Sequence, residues 1–476
     1  RVMSPTLALI VQREAEIDAF KPVPFYTVAL DLLGFTAASA RMDKKADAEQ
    51  LKNACQGGTV TVKQVERRDK SEKPPALYDL TTLQRDANRL LGFTAQQTLD
   101  YLQNLYEKKL CTYPRTDSRY LTSDMAEGLP VLVNLVANAM LFRKGIAISC
   151  DAAAVINDKK VTDHHAVIPT RNIREADLSA LPVGERTILE LVALRLLCAV
   201  AQPYTFAETA VVVECAGAEF TAKGRTVKQP GWRALDAAYR ASMKSAPEQD
   251  GNSEDKALPE LSEGQELPVA GAAVKEGKTT PPKHFTEDTL LSAMETAGKD
   301  DMPEDAERKG LGTPATRASI IEGLISQEYI VRDGRELLAT RRGIELIALL
   351  ERIGLKTLTS PSLTGEWEYK LKQMEQAALP RDSFMEGIKT LTGEIVKRVK
   401  DFREAQQQVE LPEMELDCPS CHAHGLKNTL DAVSCRSCKF SIRKVISGRD
   451  MTDEELKTLI VDGKTGILHG FTSRFG

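Results

Sequence analysis

The chain has 476 residues, too many for one hydrophobic core, so roughly three or four domains are expected. Hydrophobic residues make up 42% and charged residues 28%, as in a globular protein, and no apolar run reaches the roughly 18 residues of a membrane helix. The net charge of −5 gives no overall basic attraction to nucleic acid, although binding a phosphate backbone needs only a local basic surface.

From the N-terminus, Leu7, Ile10, Val11 and Ile17 recur at helical spacing behind Pro5, which suits a helix first turn. The chain opens on Arg1 rather than Met, and no signal peptide follows, which suggests a fragment. Between Pro22 and Pro75 the pattern turns to strands, with Phe25–Leu30 and Thr59–Val62 the clearest, and Lys44–Cys55 reads as a surface helix. Asp79–Leu110 is helical, broken at Gly92, with Thr94 as a helix cap. Leu121–Arg143 is again helix-forming, and Glu185–Ala201 is a strongly apolar helix interrupted by Arg195. Thr205–Thr221 and Leu267–Ala273 alternate as strands, separated by a polar loop, Ser245–Leu258. Pro281 starts a new unit, in which Thr286 caps a helix Leu290–Ala297 and a second helix covers Ser319–Leu324. Gln327–Arg335 reads as a short winged hairpin.

Three stretches carry chemistry. Leu110–Leu121 places Tyr113 beside Pro114, with Arg115 two residues beyond it. A phenol ionises only near pH 10 or so, but a nearby guanidinium favours the phenolate and grips a phosphate with its planar fork. That pair suits covalent attack on a phosphodiester, although a polar turn has the same composition. The second stretch, Thr162-Asp163-His164-His165-Ala166-Val167-Ile168-Pro169-Thr170, offers an imidazole, and its alternatives are a metal site or a plain loop. The third, Lys309–Arg317, is glycine-rich backbone before a helix, a generic phosphate cradle.

Nine cysteines divide into five scattered ones and two Cys-x-x-Cys pairs, Cys418/Cys421 and Cys435/Cys438. That spacing is specific for a structural zinc ribbon in a reducing compartment. Gly463-Lys464-Thr465 hints at a P-loop, but Thr458 stands where its first glycine belongs, so ATP binding is rejected.

The string Thr112-Tyr113-Pro114-Arg115-Thr116-Asp117-Ser118-Arg119-Tyr120-Leu121 resembles the active-site segment of type IA DNA topoisomerases, most closely the topoisomerase III branch. Leu77–Asn88, His164–Thr170 and Gly310–Arg317 are similar to further motifs of that family, in family order. Arg1-Val2-Met3-Ser4-Pro5 is similar to its Gly-Arg-Val-Gln-Ser/Thr-Pro motif, with Met3 where glutamine is usual. Residues 448–476 resemble its C-terminal repeats.

The resemblance implies an α+β multidomain, toroidal body of helical domains plus a β-rich arch, with a C-terminal zinc ribbon. A DNA-binding helical domain would comprise residues 1–21 and 284–410, and an arch 22–75 and 204–283. A helical tyrosine domain would take 76–203, the ribbon 411–447, and a truncated repeat 448–476. Tyr113 would cleave one DNA strand through a 5′-phosphotyrosine, with Arg115 and His164 at the phosphate. Arg1, Ser4, Thr313, Thr316 and Arg317 would contact single-stranded DNA, and Cys418, Cys421, Cys435 and Cys438 would hold Zn²⁺. Strand passage and religation would relax negative supercoils or decatenate DNA without ATP. The enzyme would be a cytoplasmic monomer on a nucleoid or plasmid, with any helicase partner unspecified. Mg²⁺ is expected only with the family's acidic N-terminal TOPRIM domain, because this chain holds no Asp-x-Asp pair. The competing readings are a DNA-binding clamp without its own catalysis, and a zinc-dependent nuclease using His164 and His165.

Overall fold

The computed structural model describes residues 2–143, 145–243, 257–298, 310–408, 411–429, 432–447 and 449–471. Arg1, the greater part of the polar loop (245–256), Lys309 and Gly448 lie outside the described residues. The backbone forms two compact units, Arg1–Ala348 with Thr357–Tyr369, and Leu349–Lys356 with Lys370–Gly476.

The first unit begins with helix α1 (Met3–Ala19), which buries Pro5, Leu7 and Ile10. Strands β1 (Pro24–Leu32) and β2 (Phe35–Ser39), helix α2 (Lys45–Cys55) and strand β3 (Thr59–Glu72) follow. Helices α3 (Leu80–Leu91), α4 (Ala95–Glu107), α5 (Leu129–Ala139) and α6 (Val183–Ala199) come next. The chain then returns to strands β4 (Tyr204–Cys215) and β5 (Ala218–Gln229), helix α7 (Gly231–Ser242) and strand β6 (Glu266–Lys278). The six strands close an antiparallel barrel in the order β1-β2-β5-β4-β3-β6. Strand β6 closes it by pairing with both β1 (Val28 opposite Val274) and β3 (Val60 opposite Leu267). Val28, Leu30, Leu32, Val62, Val213 and Phe220 fill its core. Closure leaves these strands no free edge along the ring.

The helices inserted between β3 and β4 are fixed by their ends. At α3, the Thr82 amide donates to Asp79 Oδ1 at 2.7 Å, and the Asp79 amide donates to Thr82 Oγ1 at 3.2 Å. Gly92, at φ +73°, terminates α3, and a Thr94/Gln97 capping box starts α4. Leu83, Leu102, Leu105, Ile188 and Leu191 are buried in one core between these helices. Within the helix-forming stretch Leu121–Arg143, only Leu129–Ala139 is α-helical. Gly128 stands at its N-cap and Pro130 in its first turn, where a missing amide is tolerated.

The first unit continues with β7 (Phe285–Thr286), α8 (Glu287–Thr296), α9 (Pro314–Ser326), β8 (Ile330–Asp333) and β9 (Glu336–Ala339). The three strands pair in the order β7-β9-β8, and Gly334, at φ +58°, turns the hairpin. The second unit contains the long helix Arg381–Gln408 and a four-stranded antiparallel sheet. The sheet strands are Leu411–Asp417, His424–Asn428, Ala432–Cys435 and Ser441–Arg443. Met414, Leu426 and Val433 share one core with Met451, Leu456 and Ile460. The ribbon and the segment after it are therefore packed together, although the sequence suggested a division at 447/448.

Candidate active site

The tyrosine and histidine stretches are stitched into one structure. The Thr112 amide donates to the Ile168 carbonyl at 3.0 Å, and the Thr112 hydroxyl donates to the Ala166 carbonyl at 3.1 Å. The Ala166 amide donates to the Tyr120 carbonyl at 2.9 Å, and the buried Thr116 hydroxyl donates to the His164 carbonyl at 2.9 Å. These bonds bring the Tyr113 ring against the His164 ring, with centroids 4.2 Å apart and planes at 35°. Tyr106, at the end of α4, packs edge-on against Tyr113 with centroids 5.6 Å apart. His165 is half-buried, its Nδ1 2.8 Å from the Ala166 carbonyl, whereas His164 is exposed. Of the two adjacent imidazoles, His164 is the one stacked on the tyrosine.

The first turn of α9 supplies a third wall. Thr313, Pro314 and Ala315 face Arg115, Asp117, Asp163 and His164 across a cleft of about 140 Å³. A helix N-terminus carries unsatisfied amides and roughly half a positive charge, so this wall suits an anion. Thr313 and Thr316 form the cap: the Thr313 amide donates to Thr316 Oγ1 at 2.9 Å, and the two hydroxyls lie 3.1 Å apart. Gly310, at φ +68°, seats the loop against α8, where a β-carbon would lie 2.2 Å from the Met294 carbonyl oxygen. The Arg115 guanidinium is exposed and donates to Gln103 Oε1 at 2.9 Å.

Ser4, Met3, Thr313, Thr316 and Tyr329 line a neighbouring groove of about 630 Å³, so Thr313 belongs to both spaces. Arg317, expected at the DNA, is 3% exposed and turned inward. It donates to the carbonyls of Leu311 (3.2 Å) and Gly312 (3.1 Å) and to Thr81 Oγ1 (2.9 Å). Burial lowers its pKa against the pull of Glu295 and Asp79. In this arrangement Arg317 shapes the glycine loop and does not face solvent. Thr81 lies within the Leu77–Asn88 motif and Tyr106 on the helix expected after Thr94, but neither was given a role at the site, and Gln103 was not named. Gln103 and Tyr106 come to the site through tertiary packing.

An ionic brace joins α3 and α6. Asp86 accepts from Tyr78 Oη at 2.7 Å, from Arg195 and from Arg89, and the Arg195 guanidinium lies 4.1 Å from the Tyr78 ring centroid. Burial alone would raise the Asp86 carboxyl, but Arg195 and Arg89 hold it below its ordinary value. Burial pushes the Tyr78 phenol well up, so it remains a neutral donor. Burial likewise raises the thiol of Cys111, two residues from Tyr113, which keeps it unreactive.

In the second unit the ligand atoms of Cys418, Cys421, Cys435 and Cys438 all lie within 4.8 Å of one another. Amides of Ser420, Ser437 and Phe440 point at the sulfurs of Cys418, Cys435 and Cys438, at 3.3–3.4 Å. Such donors stabilise thiolates and orient them toward one point, as a tetrahedral metal centre requires. Burial pushes the Cys418 thiol up, but the amides of Ser420 and Cys421 and the neighbouring sulfurs outweigh it and bring it to about 7. His424 is paired instead with Asp417 at 2.8 Å. Among the described residues this is the one group of three or more His, Cys, Asp or Glu side chains placed to share an ion. No helix among them is long and apolar enough to cross a membrane.

Comparison with known proteins agrees with this architecture. DNA topoisomerase 3 of Bacillus licheniformis is 35% identical over 466 residues, covering 92% of this chain and 62% of that protein. The enzyme of Bacillus subtilis gives the same figures, and that of Shouchella clausii is 34% identical over 477 residues with the same coverage. The chain thus spans 62% of the length of these curated relatives. Full-length topoisomerase I from Thermotoga maritima shares the fold, with a TM-score of 0.67 at 23% identity, covering 95% of this chain and 71% of that one. Residues 437–476 match the C-terminal repeat of topoisomerase, a match that begins inside the cysteine ribbon. Because residues 1–386 match the family model for DNA topoisomerase, the chain belongs to that family, as a type IA, topoisomerase III-like member.

Proposed function

We propose that this chain cleaves single-stranded DNA transiently through Tyr113 and serves as the body of a strand-passing topoisomerase. The observation that carries the reading is the Tyr113 ring stacked at 4.2 Å on His164, beside a cleft shared by Arg115, His164 and the first turn of α9. Tyr113 Oη attacks the phosphorus, the bond to the 3′ oxygen breaks, and the 5′ phosphate stays on the tyrosine. The leaving 3′ oxygen takes up a proton, and His164 is placed to move it. Arg115 and the α9 N-terminus stabilise the charge that builds on the phosphate. The ester conserves the bond energy, so religation by the 3′ hydroxyl needs no ATP. Passage of a second strand before religation would relax negative supercoils or decatenate DNA. Ser4, Thr313 and Thr316, which line the neighbouring groove, bind the strand next to the scissile step. The four cysteines hold a structural Zn²⁺, which ties the ends of the ribbon strands together.

The described residues offer no cluster of carboxylates fitted to Mg²⁺. The same observation favours a second reading, a DNA-binding clamp that does no chemistry by itself. The test is covalent trapping on a single-stranded oligonucleotide, with the acidic Mg²⁺-binding domain of a relative supplied in trans. Tyr113→Phe should abolish the adduct and leave binding within about twofold, because only the attacking oxygen is lost. An adduct that survives would move the chemistry elsewhere, with Tyr120 the next candidate.

A further inference from the structure

The five residues Leu77–Thr81 touch all three walls of the cleft. The Leu77 carbonyl accepts from Arg119 Nε at 3.2 Å, and the Tyr78 carbonyl accepts from the Val167 amide at 2.8 Å. The Leu80 amide donates to the Thr116 carbonyl at 3.1 Å, and Thr81 Oγ1 accepts from Arg317 at 2.9 Å. Thr81 is fully buried in the first turn of α3, where an apolar side chain of the same shape would fill the space equally well. The bond from Arg317 gives its hydroxyl a specific use. Arg317 also grips the carbonyls of Leu311 and Gly312, so it fastens the glycine loop to α3. A continuous chain of bonds runs from the α9 N-terminus through Arg317, Thr81 and Leu80 to Thr116, whose hydroxyl holds the His164 carbonyl.

We propose that Thr81 is a positioning residue: its hydroxyl sets the register of the anion-binding end of α9 against the Tyr113 loop, so that a phosphate held by one faces the other. The inference rests on the single-strand cleavage reading above. Without the hydroxyl, both walls still form and DNA still binds, but binding at the glycine loop is no longer transmitted to the tyrosine loop.

The test is amide hydrogen exchange on the full chain, free and bound to a mixed-sequence single-stranded oligonucleotide. In wild type and Thr81→Ser, binding should slow exchange both at 310–317 and at 112–120. Thr81→Val should bind within about twofold of wild type and still protect 310–317. Its protection at 112–120 should fall about tenfold, the scale of a lost hydrogen bond to a charged group. Arg317→Lys, which keeps the charge and loses the fork, reads the same bond from the other side if Thr81→Val does not fold. Thr81→Val protection at 112–120 equal to wild type would overturn the inference. If the wild-type chain does not bind the oligonucleotide, the functional reading fails, and the free proteins decide the positioning claim alone. Exchange at 310–317 should then be faster in Thr81→Val than in Thr81→Ser, and equal rates would overturn it.

Discussion

Replacing Asp86 by alanine tests whether the ionic brace stabilises the helical core. Asp86 is 14% exposed and Arg195 17%, so both charges are largely desolvated. Asp86 accepts from three donors, and its removal leaves Arg195 buried with only Tyr78 Oη at 3.1 Å and the Ala76 carbonyl at 3.4 Å. Breaking such a pair from one side costs about 3–5 kcal/mol, against about 0–1 kcal/mol for a surface pair. Urea unfolding, followed by circular dichroism and tryptophan fluorescence, should show a loss in that range; Trp232 packs against this core. Asp86→Ala combined with Arg195→Met should cost less than the two single changes summed, because the double variant leaves no orphaned charge. The sign of the pH effect follows from the lowered carboxyl. The stabilisation is present above the unfolded value of about 4 and is lost as pH falls through the lower folded value. Asp86→Ala should therefore flatten the acid limb of the stability curve. A loss below about 1 kcal/mol would refute the argument, since the pair would then be behaving as a solvated one.

Three further outcomes are expected. His164→Ala should slow adduct formation more than it weakens DNA binding, and His165→Ala should matter less; the reverse order in a cleavage time course would place the wrong imidazole at the phosphate. Elemental analysis of protein purified without chelators should find one zinc per chain, and chelation should unfold the cysteine-bearing sheet with the segment that shares its core and leave the first unit folded; a zinc-free protein with an intact sheet would count decisively against the ribbon. Residues 1–476 alone should bind single-stranded DNA but relax a negatively supercoiled plasmid poorly, and an acidic Mg²⁺-binding domain in trans should restore relaxation; robust Mg²⁺-dependent turnover by the chain alone would reveal a metal site outside the cysteine cluster.

Elements with local chemical marks were legible in the sequence. Thr94 and Thr286 were readable as caps, and both start helices. The two Cys-x-x-Cys pairs and the hairpin at Gly334 are likewise local. What the sequence hid is non-local. Barrel closure depends on β6 pairing with strands more than 200 residues earlier, and no pattern inside β6 names those partners. Helix α7 was not anticipated from the sequence, although Trp232, Leu235 and Tyr239 have helical spacing. Arg317 shows the same limit at the site. An arginine in a helix first turn beside a glycine loop reads as a phosphate ligand, and only packing shows its fork spent on two carbonyls and Thr81.

If single-stranded DNA is the partner, as proposed, the distribution of charge explains why the net value of −5 misleads. The cleft collects Arg115, His164 and the α9 N-terminus, but also Asp117 and Asp163. Two carboxylates facing an anionic backbone would repel it, but both are exposed, so water and salt screen much of the repulsion. The compensating charge comes from the positive end of the α9 dipole and one exposed guanidinium, neither of which needs a basic total, although Pro314 at the first helical position has no amide to give. So balanced a site should hold a phosphate weakly in the ground state. On the proposed mechanism its contribution would lie in the arrangement of donors around the phosphorus during attack, where charge moves to the equatorial oxygens. On this account, removing Arg115 should lower the cleavage rate far more than the affinity, whereas substitutions in the Ser4–Tyr329 groove should do the opposite.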